Sequence, residues 1–240
     1  MSLTDGPRPT ATAVRPRSTR DRPAKAPLSE NAVVDAALAI LRSEGLQAVT
    51  MRRVAAALDT GAMSLYVYVP GREGLLQAML DRVTTTIELD APNPSCWRAQ
   101  LHSLLARIHQ ALLAHPGIAA VTLADSPTTE AVLLLTENLL GILLAGGLDP
   151  QDAAWACDLF VGLVMAAARE DDVRHPRGRS DDDGRPERVD KLYTTFAGLP
   201  ADRFPLIAAH AAQMVAGDGD ERLRFAIDAV LDGVLARTAR

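Results

Sequence analysis

Between residues 50 and 72 the chain gathers Thr50, Arg52, Arg53, Ser64, Tyr66, Tyr68 and Arg72. These are guanidinium and hydroxyl groups, the hydrogen-bond donors that phosphate oxygens accept from. Other chemistries fail on spacing. His102, His109 and His115 stand too far apart for a paired i, i+4 zinc site. Asp181, Asp182 and Asp183 are consecutive and lack the alternation of a calcium loop. There is no phosphate-cradling glycine loop, no G-x-S-x-G and no H-E-x-x-H. Catalytic residues, a metal and a cofactor are therefore not expected. Cys157 lies among apolar residues and reads as a packing thiol.

The donors need elements to carry them. Thr50 is a good N-cap for a short helix whose Val54, Ala55 and Leu58 face inward, with Arg52 and Arg53 beside its opening turn. Asp59, Thr60 and Gly61 make a tight turn, and a second short helix over residues 62–69 is stopped by Pro70 and Gly71. Small Ala55 suits the crossing point and apolar Leu65 locks the second helix. Two short helices joined by a three-residue turn form a helix-turn-helix, which places its second helix in the DNA major groove.

The rest of the chain repeats the helical period. Val33, Ala36, Ala37, Ile40 and Leu41 form a stripe between a capping Ser29 and Gly45. Leu75, Leu76, Met79, Leu80, Val83 and Ile87 form another over residues 72–89. Further helices are expected at 97–114, 118–124, 128–144, 151–169, 200–216 and 221–237, with a long polar loop at 171–188. Strand-like alternation is absent, so the fold class is all-α. The 240 residues carry a net charge of -5, which excludes binding of nucleic acid by bulk charge. Residues 1–27 are locally +4 and rich in proline, and read as a flexible basic arm. The same prolines oppose an organelle-targeting helix. Acidic and amide residues interrupt each long apolar run, so no membrane span is expected. Two cysteines and no secretory leader point to the reducing cytoplasm.

The segment TMRRVAAALDTGAMSLYVYVPGREGLLQAML resembles the DNA-binding domain of the tetracycline-repressor (TetR) family of bacterial transcriptional regulators. The LY-x-Y-V core, followed by a turn, a basic residue and a Leu-rich helix, carries the likeness. The resemblance implies that Arg52 reaches a base edge, where a guanidinium takes guanine O6 and N7 together. Tyr66, Tyr68 and Ser64 would hold phosphates, with Arg72 near the DNA backbone and Thr50 at a phosphate-binding helix start. Ala62 and Met63, at the exposed start of the second helix, would touch thymine methyls. Asp59 replaces the usual Gly of this turn, and Asp tolerates left-handed geometry.

The C-terminal half resembles the tetracycline repressors proper through Trp97, Leu101, Pro127, Thr136, Glu137 and the ending RFAIDAVLDGV. That likeness implies an effector cavity with Leu104 and Ile108 as apolar wall, Thr122 and Asp125 at a short helix, and Asn138 as a hydrogen-bonding group. Thr122 stands where those repressors place the histidine that holds the drug's magnesium, which argues against tetracycline as the effector. Trp155 and Phe160 line a pocket or only a core. The expected division is an arm at 1–27, a DNA-binding domain at 28–72, a connecting helix at 73–90, and an effector-binding and dimerisation domain at 91–240. The expected protein is a homodimeric regulator of a palindromic double-stranded operator, responsive to a small molecule. Its two-fold axis would be formed by helices 151–169 and 221–237 through Leu159, Leu163, Phe225, Val230 and Val234. The alternatives are a DNA-binding regulator without a small-molecule ligand, and an all-α enzyme or scaffold.

Overall fold

The computed structural model describes residues 27–122, 129–174 and 185–238, and the regular structure among them is helical. The expected arm at 1–27 lies outside the described residues except for Pro27, as do Asp125 and positions 175–184 of the expected loop. Ser29 accepts the amide of Ala32 and opens α1 (Glu30–Glu44), which buries Val33, Val34, Ala37, Leu38, Ile40 and Leu41. Gly45, at φ 93°, ends it in a region closed to most side chains. A 3-10 turn, Leu46–Ala48, leads to α2 (Met51–Ala57), where the Thr50 hydroxyl accepts the Arg53 amide at 3.1 Å. The end of α2 is a Schellman motif: Thr60 N donates to Ala55 O, Asp59 N donates to Ala56 O, and Asp59 sits at φ 50°. The short α3 (Ala62–Leu65) and the longer α4 (Gly71–Thr85) follow.

The larger remainder consists of α5 (Trp97–Leu113), α6 (Ala119–Thr122), α7 (Glu130–Ala145), α8 (Pro150–Arg174), α9 (Arg185–Ala197), α10 (Pro205–Ala209), α11 (Ala211–Val215) and α12 (Gly219–Thr238). Helix α4 packs on α1 and on α7, while α5 packs on α7 and α8, and α8 on α12. One apolar core therefore runs unbroken from Val33 to Val234. At Gly146 a Cβ would come within 2.5 Å of the Trp97 ring, so glycine lets the end of α7 close on the start of α5. A 21-residue stretch of α8, Pro150–Glu170, is long and apolar enough to cross a membrane. Here it buries Ala153, Ala156, Phe160, Val164 and Ala168 inside the bundle and keeps Asp152 and Asp158 within its length, as a core helix does.

The larger differences from the sequence expectation are four, besides α9, where no helix is expected from the sequence. The helix expected at 62–69 stops at Leu65; residues 66–68 continue as turns and the chain bends at Val69 and Pro70, where proline has no N–H to extend a helix. The helix expected to reach 89 stops at Thr85. The hydroxyls of Thr85 and Thr86 bond back to the carbonyls of Asp81 and Val83 and compete with continued helix. The expected loop at 171–188 is shorter, since α8 runs on to Arg174 and α9 begins at Arg185, next to a proline that suits a first turn. The single helix expected at 200–216 is two, broken at His210 (φ −114°, ψ 21°) and begun late by Pro205.

Cys157 is buried, and its thiol is pushed up to about 11 by burial and then by the Asp158 carboxylate. Cys96 is exposed. Iodoacetamide under mildly alkaline conditions should therefore label the native chain at Cys96 alone, since the thiolate is the nucleophile. Peptide mapping reads the result, and early label at Cys157 would mean that α8 opens locally.

Candidate nucleic-acid interface

Val54, Ala55, Leu65 and Val69 point inward and hold α3 against α2. The outer side carries Arg52, Ser64, Met63 (79 % exposed), Tyr66 (52 %) and Val67 (82 %). Arg52 has no partner among the described residues, so its guanidinium is available to a ligand. Thr50 spends one lone pair on capping α2, and Ala62 is half-buried on the core. Tyr68 is likewise half-buried against the core, whereas Tyr66 is open. Only Tyr66 of the two thus presents a free phenol face in this state.

Two of the basic residues, Arg53 and Arg72, make hydrogen bonds within the chain and remain exposed. Arg53 donates to the Glu44 carboxylate through Nε at 3.1 Å and again through Nη2. That pairing lowers the pKa of Glu44 and raises that of Arg53, in each case chiefly through the hydrogen bond. Arg72 donates from Nε to Val49 O at 3.0 Å and from Nη2 to Leu46 O at 3.3 Å. It ties the start of α4 to the turn that precedes α2, and so sets where Arg52 lies. Val67 was not singled out from sequence. Its only signal was a β-branched residue between two tyrosines in a segment whose inward positions, 65 and 69, were already taken.

Further along α4, neighbouring residues face different parts of the molecule. Arg82 Nη1 donates to Asp35 at 2.7 Å, and its Nη2 donates to Asn31, so α4 is clamped to α1. Asp81 Oδ1 accepts the Ala131 amide of the first turn of α7 at 3.4 Å. Helix α4 is therefore fastened at its start to the turn before α2 and near its end to α1, where it also touches the C-terminal bundle.

Of the residues expected to form the effector site, Asp125 lies outside the described residues and the others sit on α5, α6, α7 and α8. Leu104, Ile108 and Phe160 are buried in the shared core of α5 and α8. Asn138 donates from Nδ2 to Asp90 O at 2.8 Å and so fastens α7 to the segment after α4, while its buried Oδ1 has no hydrogen-bond partner among the described residues. Arg107 joins Asp90 from α5 at 2.6 Å. Thr122 closes α6. Trp155 is 56 % exposed on the opposite side of α8 from Phe160 and cannot share a pocket with it. Two cavities flank the end of α4 and share Ile87: one of about 270 Å³ against α7, lined by Asp81, Thr84, Ala131 and Leu135, and one of about 520 Å³ against α5, lined by Ser103, Arg107 and Gln110. Of the residues expected at the dimer axis, Leu163, Val230 and Val234 are spent on the core of their own chain. Leu159 and Phe225 remain outside it, and Trp155 joins them.

The family model described as bacterial regulatory proteins, tetR family, matches residues 33–79, and that of the tetracyclin repressor-like C-terminal domain matches residues 90–238. The chain is 31 % identical over 221 residues to the HTH-type transcriptional repressor DrrR1 of Streptomyces coeruleorubidus, covering 89 % of this chain and 80 % of the relative. It is similar to the crystal structure of the Streptomyces coelicolor TetR family protein ActR in complex with actinorhodin, with a TM-score of 0.80, 32 % identity, and coverage of 90 % of this chain and 100 % of that one. The structure of BioQ with its double-stranded DNA operator aligns with a TM-score of 0.57 and 28 % identity, over 62 % of this chain and 90 % of that one.

Proposed function

Because the chain belongs to the tetR family of bacterial regulatory proteins, and is a DNA-binding transcriptional regulator rather than an enzyme, we propose a homodimeric repressor that a small organic effector releases from a palindromic operator in the bacterial cytoplasm. The observation that carries this reading is α4, clamped through Arg72 to the turn before α2 and through Arg82 to α1, and flanked at its far end by two cavities. An occupant of either cavity would press on Ile87 and turn α4 with the reading head attached. The complex of ActR with actinorhodin supports a small organic molecule as effector. BioQ on its operator supports double-stranded DNA as the partner. Residues 28–72 are assigned to the DNA-binding unit, 73–90 to the connector and 91–240 to the effector and dimer unit.

Full-length protein and duplexes enriched from a random pool test the DNA arm of this reading. Arg52→Ala should cost about 1 to 3 kcal/mol and relax preference at one base pair, as loss of a bidentate base contact does. Tyr66→Phe should weaken all sequences alike, because a phosphate hydroxyl carries no sequence information. Titrations on the enriched duplex and its single-base variants separate the two. An unchanged sequence preference in Arg52→Ala would remove it from the base-reading set.

A further inference from the structure

We propose that Met63 and Val67 form an apolar reading edge that selects thymine in each operator half-site through its 5-methyl group. The inference rests on the DNA-binding reading above and names the base this surface takes. Hydrogen bonds from Tyr66 N to Met63 O and from Val69 N to Leu65 O continue the helical path beyond α3. Leu65 and Val69, four apart, both turn into the core. Met63 and Val67, offset by two from that pair, both turn outward and are 79 % and 82 % exposed. Neither side chain contributes to the core, so the fold does not account for two large apolar groups at this place.

The major groove does account for them. Among the base-edge groups displayed there, the thymine methyl is apolar, while the others are hydrogen-bond donors or acceptors. Gly61 has open space beyond its Cα, and Ala62 offers only a methyl, so the start of α3 brings few polar side chains to compete for the same edge. Arg52 on α2 is exposed too, and would supply the cation for a neighbouring guanine or phosphate. The reading head then combines one polar contact with a strip that recognises methyl groups by burying them.

The test uses the full-length protein and a duplex enriched from a random pool. Each thymine is replaced in turn by deoxyuridine, which deletes the methyl and leaves the hydrogen-bonding edge unchanged. At one or two positions per half-site, wild type should bind about fourfold more weakly, the value of burying one methyl-sized group, and about fifteenfold when both half-sites are altered. Met63→Ala or Val67→Ala should erase the penalty at its own position. Both side chains are too exposed for their loss to threaten folding, and an unchanged thermal transition confirms it. Equal binding of thymine and uracil duplexes at every position would overturn the assignment. So would a penalty that persists in both variants, since the methyl would then act through DNA shape. If no duplex is enriched at all, the DNA-binding reading fails and takes this one with it.

Discussion

Phe225→Arg should yield a folded monomer that binds a two-half-site operator about a thousandfold more weakly than wild type. Phe225 is 76 % exposed on α12, and Leu159 and Trp155 are more than half exposed on the adjoining α8. Gly162 and Gly233 lie on the same outer sides, with nothing within 4 Å of the space a Cβ would take. Large apolar groups beside bare backbone suit close packing of two helices against two copies of themselves, the self-complementary contact a two-fold dimer needs. An arginine there brings two like charges together across the axis and must be desolvated. The loss in DNA binding is large because the second half-site otherwise binds as an intramolecular event, an advantage of about 10² to 10⁴. Sedimentation at micromolar protein reads the first result and operator titration the second. A variant that stays dimeric would move the two-fold axis to another face.

How far this surface could be foreseen shows what patterning can and cannot resolve. The periodicity of residues 151–169 and 221–237 marks both helices as apolar on more than one side, which suggests a partner. It does not say which side the chain covers by itself. Leu163, Val230 and Val234 go to the α8–α12 seam within one chain, while Leu159, Phe225 and Trp155 do not. That partition depends on the rotation of α8 about its axis, set by contacts with α5 and α7 more than a dozen residues away in sequence. The helix-turn-helix was more legible because its determinants are local: the Thr50 cap, Asp59 at φ 50°, and the small Ala55 facing Leu65 are fixed by neighbours within a few positions. The pairing of Arg53 with Glu44 and of Arg72 with the carbonyls of Leu46 and Val49 depends on how α1 and α4 converge on that unit. Residue type alone therefore does not show these intrachain partners.

Phe160→Ala should destabilise the protein by about 3 to 5 kcal/mol, the usual cost of removing a fully buried aromatic side chain and leaving a cavity behind. From sequence Phe160 is either a pocket wall or a core residue, and its complete burial in the core supports the second. The contrast is with Trp155, five residues earlier on α8 and facing out. Trp155→Ala removes no buried contact within the chain, so its effect should depend on protein concentration and vanish where dimers have already dissociated. The Phe160→Ala loss should persist at every concentration, because the cavity lies inside one subunit. Urea unfolding of both variants at two protomer concentrations separates these behaviours. If Phe160→Ala cost less than about 1 kcal/mol, well below the cavity range, the α5–α8 core would be loosely filled at that point, and the effector site would belong there instead of beside Ile87.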